Sequence, residues 1–196
     1  MGRSVFLVER RAYAVRMDGL SRSRYVLDAF PPYRFVPGLF PHPTAHAQGH
    51  SYRAPGMHPP RGVLPKPEDW ATCPVYLLGA DLYNYGYWWE AHEKWESIWQ
   101  ETQKDGVQGR FLQGLIQVAA CHLKWHMGHL DGVRRLLTTS ALHLNFVSVS
   151  EFESSYMGLG VTDFCLRTAH YYQSLFRLEQ RSLHDPSQYP YLILKT

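Results

Sequence analysis

Glu90, His92, Glu93 and Glu96 crowd into two helical turns, interleaved with Trp88, Trp89, Trp95 and Trp99. Carboxylates beside an imidazole can share protons or hold a cation. Tryptophans among them exclude water, so the charges must find partners or shift their pKa values. His92-Glu93-x-x-Glu96 is an HExxE-like motif. It has the frame of the zinc-protease helix, with a glutamate where that helix carries its second histidine. His92 and Glu96 still offer one imidazole and one carboxylate to a divalent metal, with help from another helix. Di-iron bundles use the opposite order, Glu-x-x-His, on paired helices. The competing reading is a structural network of carboxylates, glutamines and arginine.

These residues need a helix to align them. On a helical wheel Trp88, Ala91, Trp95, Ile98 and Trp99 fall within an arc of about 100°, a core-facing stripe. His92 stands at one edge with Glu96 a turn further on, and Glu93 and Glu90 lie farther round. The next helical run, Arg110 to His126, is apolar over more than half its circumference, from Phe111 and Leu112 to Leu123. Its polar stripe is Arg110, Gln113, Gln117 and Lys124. If that stripe faces the acidic edge, the two amides and the guanidinium serve the carboxylates. The expected cluster is therefore Glu90, His92, Glu93, Glu96, Arg110, Gln113 and Gln117, between the second and third helices. In a catalytic version one glutamate is the general base and Arg110 steadies developing negative charge. His122 and His126, one turn apart, read as packed histidines, because no matching ligand pair appears elsewhere. His42, His46, His50 and His58 lack the cysteines or rigid frame of a metal site and read the same way.

The rest of the chain divides into zones. Residues 1–30 are a basic lead, and 31–73 are a proline-rich arm holding ten of the thirteen prolines. Proline removes donors and fixes φ, so the arm runs extended, with turns at Pro37-Gly38, Pro55-Gly56 and Arg61-Gly62. Tyr33, Phe35, Val36 and Phe40 make it too apolar for a solvated linker, so it should lie on the folded body. Residues 74–182 have helical periodicity, with helices near 75–84, 87–104, 108–128, 130–146 and 162–181, and 183–196 form a tail. Gly86 and Gly128 mark breaks, and Thr162 is a candidate N-cap. The expectation is an all-α antiparallel bundle of about five helices with an extended N-terminal arm.

Charge and cysteine usage narrow the partners. The net charge of +3 is uneven: residues 1–24 carry six arginines against Glu9 and Asp18, contributing +4, and the remainder sums to −1, which argues against a nucleic-acid surface. No apolar run reaches the roughly 18 residues of a membrane span. Cys73, Cys121 and Cys165 are far apart, with no C-x-x-C pair, which fits a reducing cytoplasm. Met1 and Met17 are both compatible with the start of the chain.

The run Asn84-Tyr-Gly-Tyr-Trp-Trp-Glu-Ala-His-Glu-Lys-Trp-Glu-Ser-Ile-Trp99 and the later Phe111-Leu-Gln-Gly-Leu-Ile-Gln117 together resemble domain of unknown function family 309. The resemblance covers about residues 76 to 145. It implies a small all-helical domain from prokaryotes, bacterial by expectation, with no established activity. The family's polar signature falls on Glu90, His92, Glu93, Glu96, Gln113 and Gln117.

Two functions follow as expectations. The first is a small-molecule- or metal-binding helical domain, hydrolytic in its catalytic version, with a divalent metal as its cofactor. The second is a protein-interaction or scaffold module in which the polar cluster only locks the helices. Whether the protein is an enzyme stays open between them.

Overall fold

The computed structural model describes residues 23–54, 56–57, 62–151, 155–177 and 189–195. A short 3-10 helix, Pro67–Thr72, leads into five α-helices: α1 (Pro74–Asn84), α2 (Trp88–Trp99), α3 (Val107–His126), α4 (Leu130–Ser150) and α5 (Val161–Arg177). The only β features among the described residues are two isolated bridges, Tyr156 with Leu159 and Leu159 with Leu194. The fold is all-α.

Each helix packs on the next along the chain, and short connections turn the chain back between them. Pro74 opens α1 at a position where its missing N–H costs nothing. Gly86 and Gly128 adopt φ of 78° and 74° at the turns that follow α1 and α3, a conformation side chains with a Cβ resist. α2 is shorter than its periodicity predicts. It stops at Trp99, whose carbonyl accepts from the Thr102 hydroxyl and from Lys104 Nζ. Side chains thereby satisfy a helix end that another turn would otherwise have met. Thr162 is no cap, since α5 begins at Val161 and the Gly160 carbonyl accepts the Phe164 N–H.

α3 is the central helix. Its Phe111, Leu112, Leu115, Val118 and Ala119 are all buried, and they meet Trp88, Ala91, Trp95 and Ile98 of α2 in one core. Gly79 lets α1 approach α2: a Cβ there would lie 2.3 Å from Trp95 Nε1. That indole N–H donates to the Tyr76 carbonyl at 3.2 Å.

Two segments outside the helices complete the body. The first is the stretch before the 3-10 helix. The backbone N–H groups of Tyr25 and Val26 donate to the carboxylate of buried Asp81, and Phe30 packs on Tyr85 and Tyr87. The second is 189–195. From sequence this lies within a tail, yet Tyr189, Leu192 and Leu194 are buried in the main core. Asn84 holds it as another strand would: its Nδ2 donates to the Leu192 carbonyl at 2.8 Å and its Oδ1 accepts the Leu192 N–H at 2.7 Å.

Candidate functional site

The arm gives the acidic edge of α2 its partners. Tyr33 stacks on Phe40 at 5.1 Å, donates its hydroxyl to the Pro41 carbonyl and accepts the His50 N–H. His42 Nδ1 accepts the N–H groups of Thr44 and Ala45, and His46 Nδ1 accepts that of Gln48. These bonds supply a helix-free segment with the internal hydrogen bonds it needs. His58 lies outside the described residues.

Arm and helix meet at Glu90, which is 4% exposed. Its Oε1 accepts the Phe35 N–H at 2.9 Å and faces His50 Nε2 at 3.0 Å, while His50 Nδ1 pairs with the Ser51 hydroxyl at 2.8 Å. Glu90 Oε2 is buried with no hydrogen-bond partner. Trp89 packs edge-on against Phe35, His42 and His50, so the indole wedges the arm into place.

A cavity of about 390 Å³ opens between arm and helices. Glu90, Glu93 and Glu96 line it from α2, with Leu78 and Leu82 of α1 beneath. Arg53 and Lys94 are its cationic groups, and Asp28 adds a further carboxylate. His92 lies at the edge of this wall. Its Nδ1 is 3.5 Å from Glu93 Oε1 and its Nε2 is 3.7 Å from Glu96 Oε2. One ligand-capable atom from each of His92, Glu93 and Glu96 lies within 4.8 Å of the other two. Burial, then the like charges of Glu96 and Glu90, push the Glu93 carboxyl up to about 7 against the pull of Arg53. Burial lowers the His92 pKa, with Glu96 opposing.

The glutamine edge of α3 does not line this cavity. Arg110 reaches Asp105 Oδ1 at 3.2 Å and lies over the Phe146 ring of α4 at 4.6 Å. Neither it nor Gln113 nor Gln117 lines the cavity. Gln117 Oε1 is buried without a hydrogen-bond partner. The difference from the sequence expectation has a simple cause. The core stripe of α2 packs with α3, and the arm covers Glu90 beside that stripe.

A second polar group of residues sits in the core. His122, 2% exposed, has its Nε2 2.9 Å from the Tyr83 hydroxyl and its Nδ1 2.9 Å from the Tyr172 hydroxyl. Tyr83 also donates to the Pro190 carbonyl at 2.8 Å. A carbonyl only accepts, so the single Tyr83 proton goes to Pro190 and His122 Nε2 carries the hydrogen it donates. Nδ1 then accepts from Tyr172. Burial and the neighbouring His126 bring the His122 pKa down to about 3, so the ring is neutral. Trp88 stacks on both histidines, at 4.6 and 5.1 Å. His122 and His126 thus pack against the Trp88 ring, and tyrosine hydroxyls take up both ring nitrogens of His122. Local sequence carries no signal for these partners: Tyr83 lies 39 residues from His122 and Tyr172 lies 50, just as Tyr25 lies 56 residues from Asp81 and Leu192 lies 108 from Asn84.

Residues 76–136 match the family described as a domain of unknown function, DUF309. The match spans about a third of the chain and takes in α1, α2, α3 and the start of α4. No curated protein and no solved structure matches the chain.

Proposed function

We propose, taking residues 76–136 as the DUF309 segment of this chain, that it binds a divalent cation through His92, Glu93 and Glu96, beside a cavity for a small polar molecule. The observation that carries this reading is the convergence of the three ligand-capable groups within 4.8 Å. Two of the three, Glu93 and Glu96, also line the cavity. Mixed imidazole and carboxylate donors suit zinc, manganese or ferrous iron. Two supporting facts concern charge. Burial, then the like charges of Glu96 and Glu90, raise the Glu93 carboxyl to about 7, and a bound cation offsets both. Glu90 Oε2 is buried beside them with nothing to accept from.

Three protein ligands leave coordination positions for water or substrate. In a hydrolytic version the cation activates that water, and Arg53 and Lys94 take the anion-steadying role that the sequence assigns to Arg110. The unpaired cysteines suit a reducing bacterial cytoplasm, and a small molecule is the partner this reading favours over nucleic acid or membrane.

A scaffold reading draws on one observation of its own: Glu90 and Trp89 hold the arm. Isothermal titration of metal-stripped protein with zinc and manganese chlorides separates the two. The cation reading expects saturable binding at one equivalent, weakened at least about tenfold in His92→Ala and in Glu96→Gln with folding retained. Absence of binding, with both variants only less stable, assigns the cluster to the scaffold.

A further inference from the structure

The cavity beside α2 has walls of different origin. Glu93, Lys94 and Glu96 come from α2, inside the segment that matches the family. Arg53 comes from the proline-rich arm, outside that segment.

Arg53 differs from the other arginines that leave bulk water. Five described arginines are at least partly buried: Arg24, Arg34, Arg53, Arg110 and Arg167. Arg24 donates to the Asp28 carbonyl and lies 3.6 Å from Asp81 Oδ2. Arg34 donates to the Tyr85 carbonyl. Arg110 pairs with Asp105, and Arg167 with Asp163. Arg53 has no hydrogen bond or ion pair among the described residues, and it acts on Glu93 only through space. A guanidinium drawn out of water without an acceptor is unfavourable. Its planar fork of donors matches a carboxylate.

We propose that Arg53 recognises the carboxylate of a small organic acid bound in this cavity, an assignment that rests on the cation reading above. Without a cation, Glu90, Glu93 and Glu96 repel such a ligand. A divalent ion on His92, Glu93 and Glu96 cancels the charge of the two glutamates, and Arg53 then holds the anion, with Lys94 exposed at the rim. Leu78, Leu82 and Trp89 line the same cavity and receive the hydrocarbon part. The remaining acids choose between anions. Asp28 and Glu90 also line the cavity, so a phosphate group, with about two negative charges at neutral pH, meets more repulsion than a singly charged carboxylate. Acid and cation therefore bind cooperatively, each tightening the other by the same factor.

The test is calorimetric titration of the full chain as wild type, Arg53→Gln and Arg53→Lys. Manganese chloride is titrated alone. Sodium hexanoate, hexanamide and hexyl phosphate are then titrated into manganese-loaded protein, and hexanoate also into metal-stripped protein. Manganese-loaded wild type binds hexanoate saturably, and at least about tenfold more tightly than it binds hexanamide or hexyl phosphate. Metal-stripped wild type binds hexanoate at least about tenfold more weakly. Arg53→Gln loses the preference for hexanoate over hexanamide while binding manganese at least as tightly as wild type. Arg53→Lys, which keeps the charge without the fork, falls between the two. Failure of manganese to bind wild type overturns the cation reading and this assignment with it. Manganese binding overturns the assignment alone if hexanoate does not bind saturably, if hexanamide or hexyl phosphate binds as tightly, if metal-stripped protein binds hexanoate equally well, or if Arg53→Gln keeps the preference.

Discussion

His50 Nε2 lies 3.0 Å from Glu90 Oε1, forty residues along the chain, and both side chains are almost fully buried. A proline-rich segment and a helix thus share two polar contacts at Glu90, this one and the Phe35 N–H, so losing His50 leaves Glu90 with only the second.

Replacing His50 by alanine leaves the buried Glu90 carboxyl with the Phe35 N–H alone. The expected loss is about 1–3 kcal/mol of unfolding free energy in urea. Limited proteolysis within 31–54 should accelerate as the arm loosens. An unchanged protease pattern would show that Phe35 and Trp89 hold the arm without the pair.

Neutral His122 makes stability depend on pH. Its pKa falls from an ordinary value of 6.5 to about 3 on folding, so between those values the unfolded chain binds a proton that the native one refuses. Stability is complete above about 6.5 and declines as pH falls toward 3, by about 1.4 kcal/mol per pH unit where the difference is a full proton. Denaturant midpoints from pH 7.5 to 4.5 test this. His122→Gln, less stable at every pH, should show a shallower slope by about one proton. Nitrogen chemical shifts should also report the Nε2–H tautomer.

Gly79→Ala forces a methyl into Trp95 Nε1 and its ring. Overpacking of a closed core costs about 1–3 kcal/mol. Gly128→Ala is the control: no atom lies within 4 Å of its added Cβ, and only the positive φ opposes it. About 1 kcal/mol is expected there. Thermal melts of the two variants should rank in that order.

Leu192 is 1% exposed and its backbone is clamped by Asn84. Leu192→Ala should cost about 2–5 kcal/mol, the range for a core leucine rather than a tail residue. A change below about 0.5 kcal/mol would return 189–195 to the surface.

Much of the architecture was written in local patterns. The Trp88–Ala91–Trp95–Ile98 stripe and the broad apolar face of α3 predict their own burial, because a helix with period 3.6 exposes one face to the core whatever lies beyond it. Gly86 and Gly128 mark turns for an equally local reason. The acidic group Glu90, His92, Glu93 and Glu96 was likewise visible, since adjacent turns bring those residues together without help from the rest of the fold.

What covers that group is a different kind of fact. Wheel positions say that Glu90 and Glu93 stand off the core stripe, but not which segment fills the space beside them. Arg110 and the glutamines of α3 and the histidines of the arm were all compatible with the pattern. Tertiary packing chose His50, Phe35 and Arg53, and sent Arg110 to Asp105 and Phe146. The same holds for Asp81 with Tyr25, Asn84 with Leu192, and His122 with Tyr83 and Tyr172. A buried polar atom needs some partner, and its own neighbours in the chain declare that need. Which distant group meets it depends on where the whole body folds, and no local period encodes that.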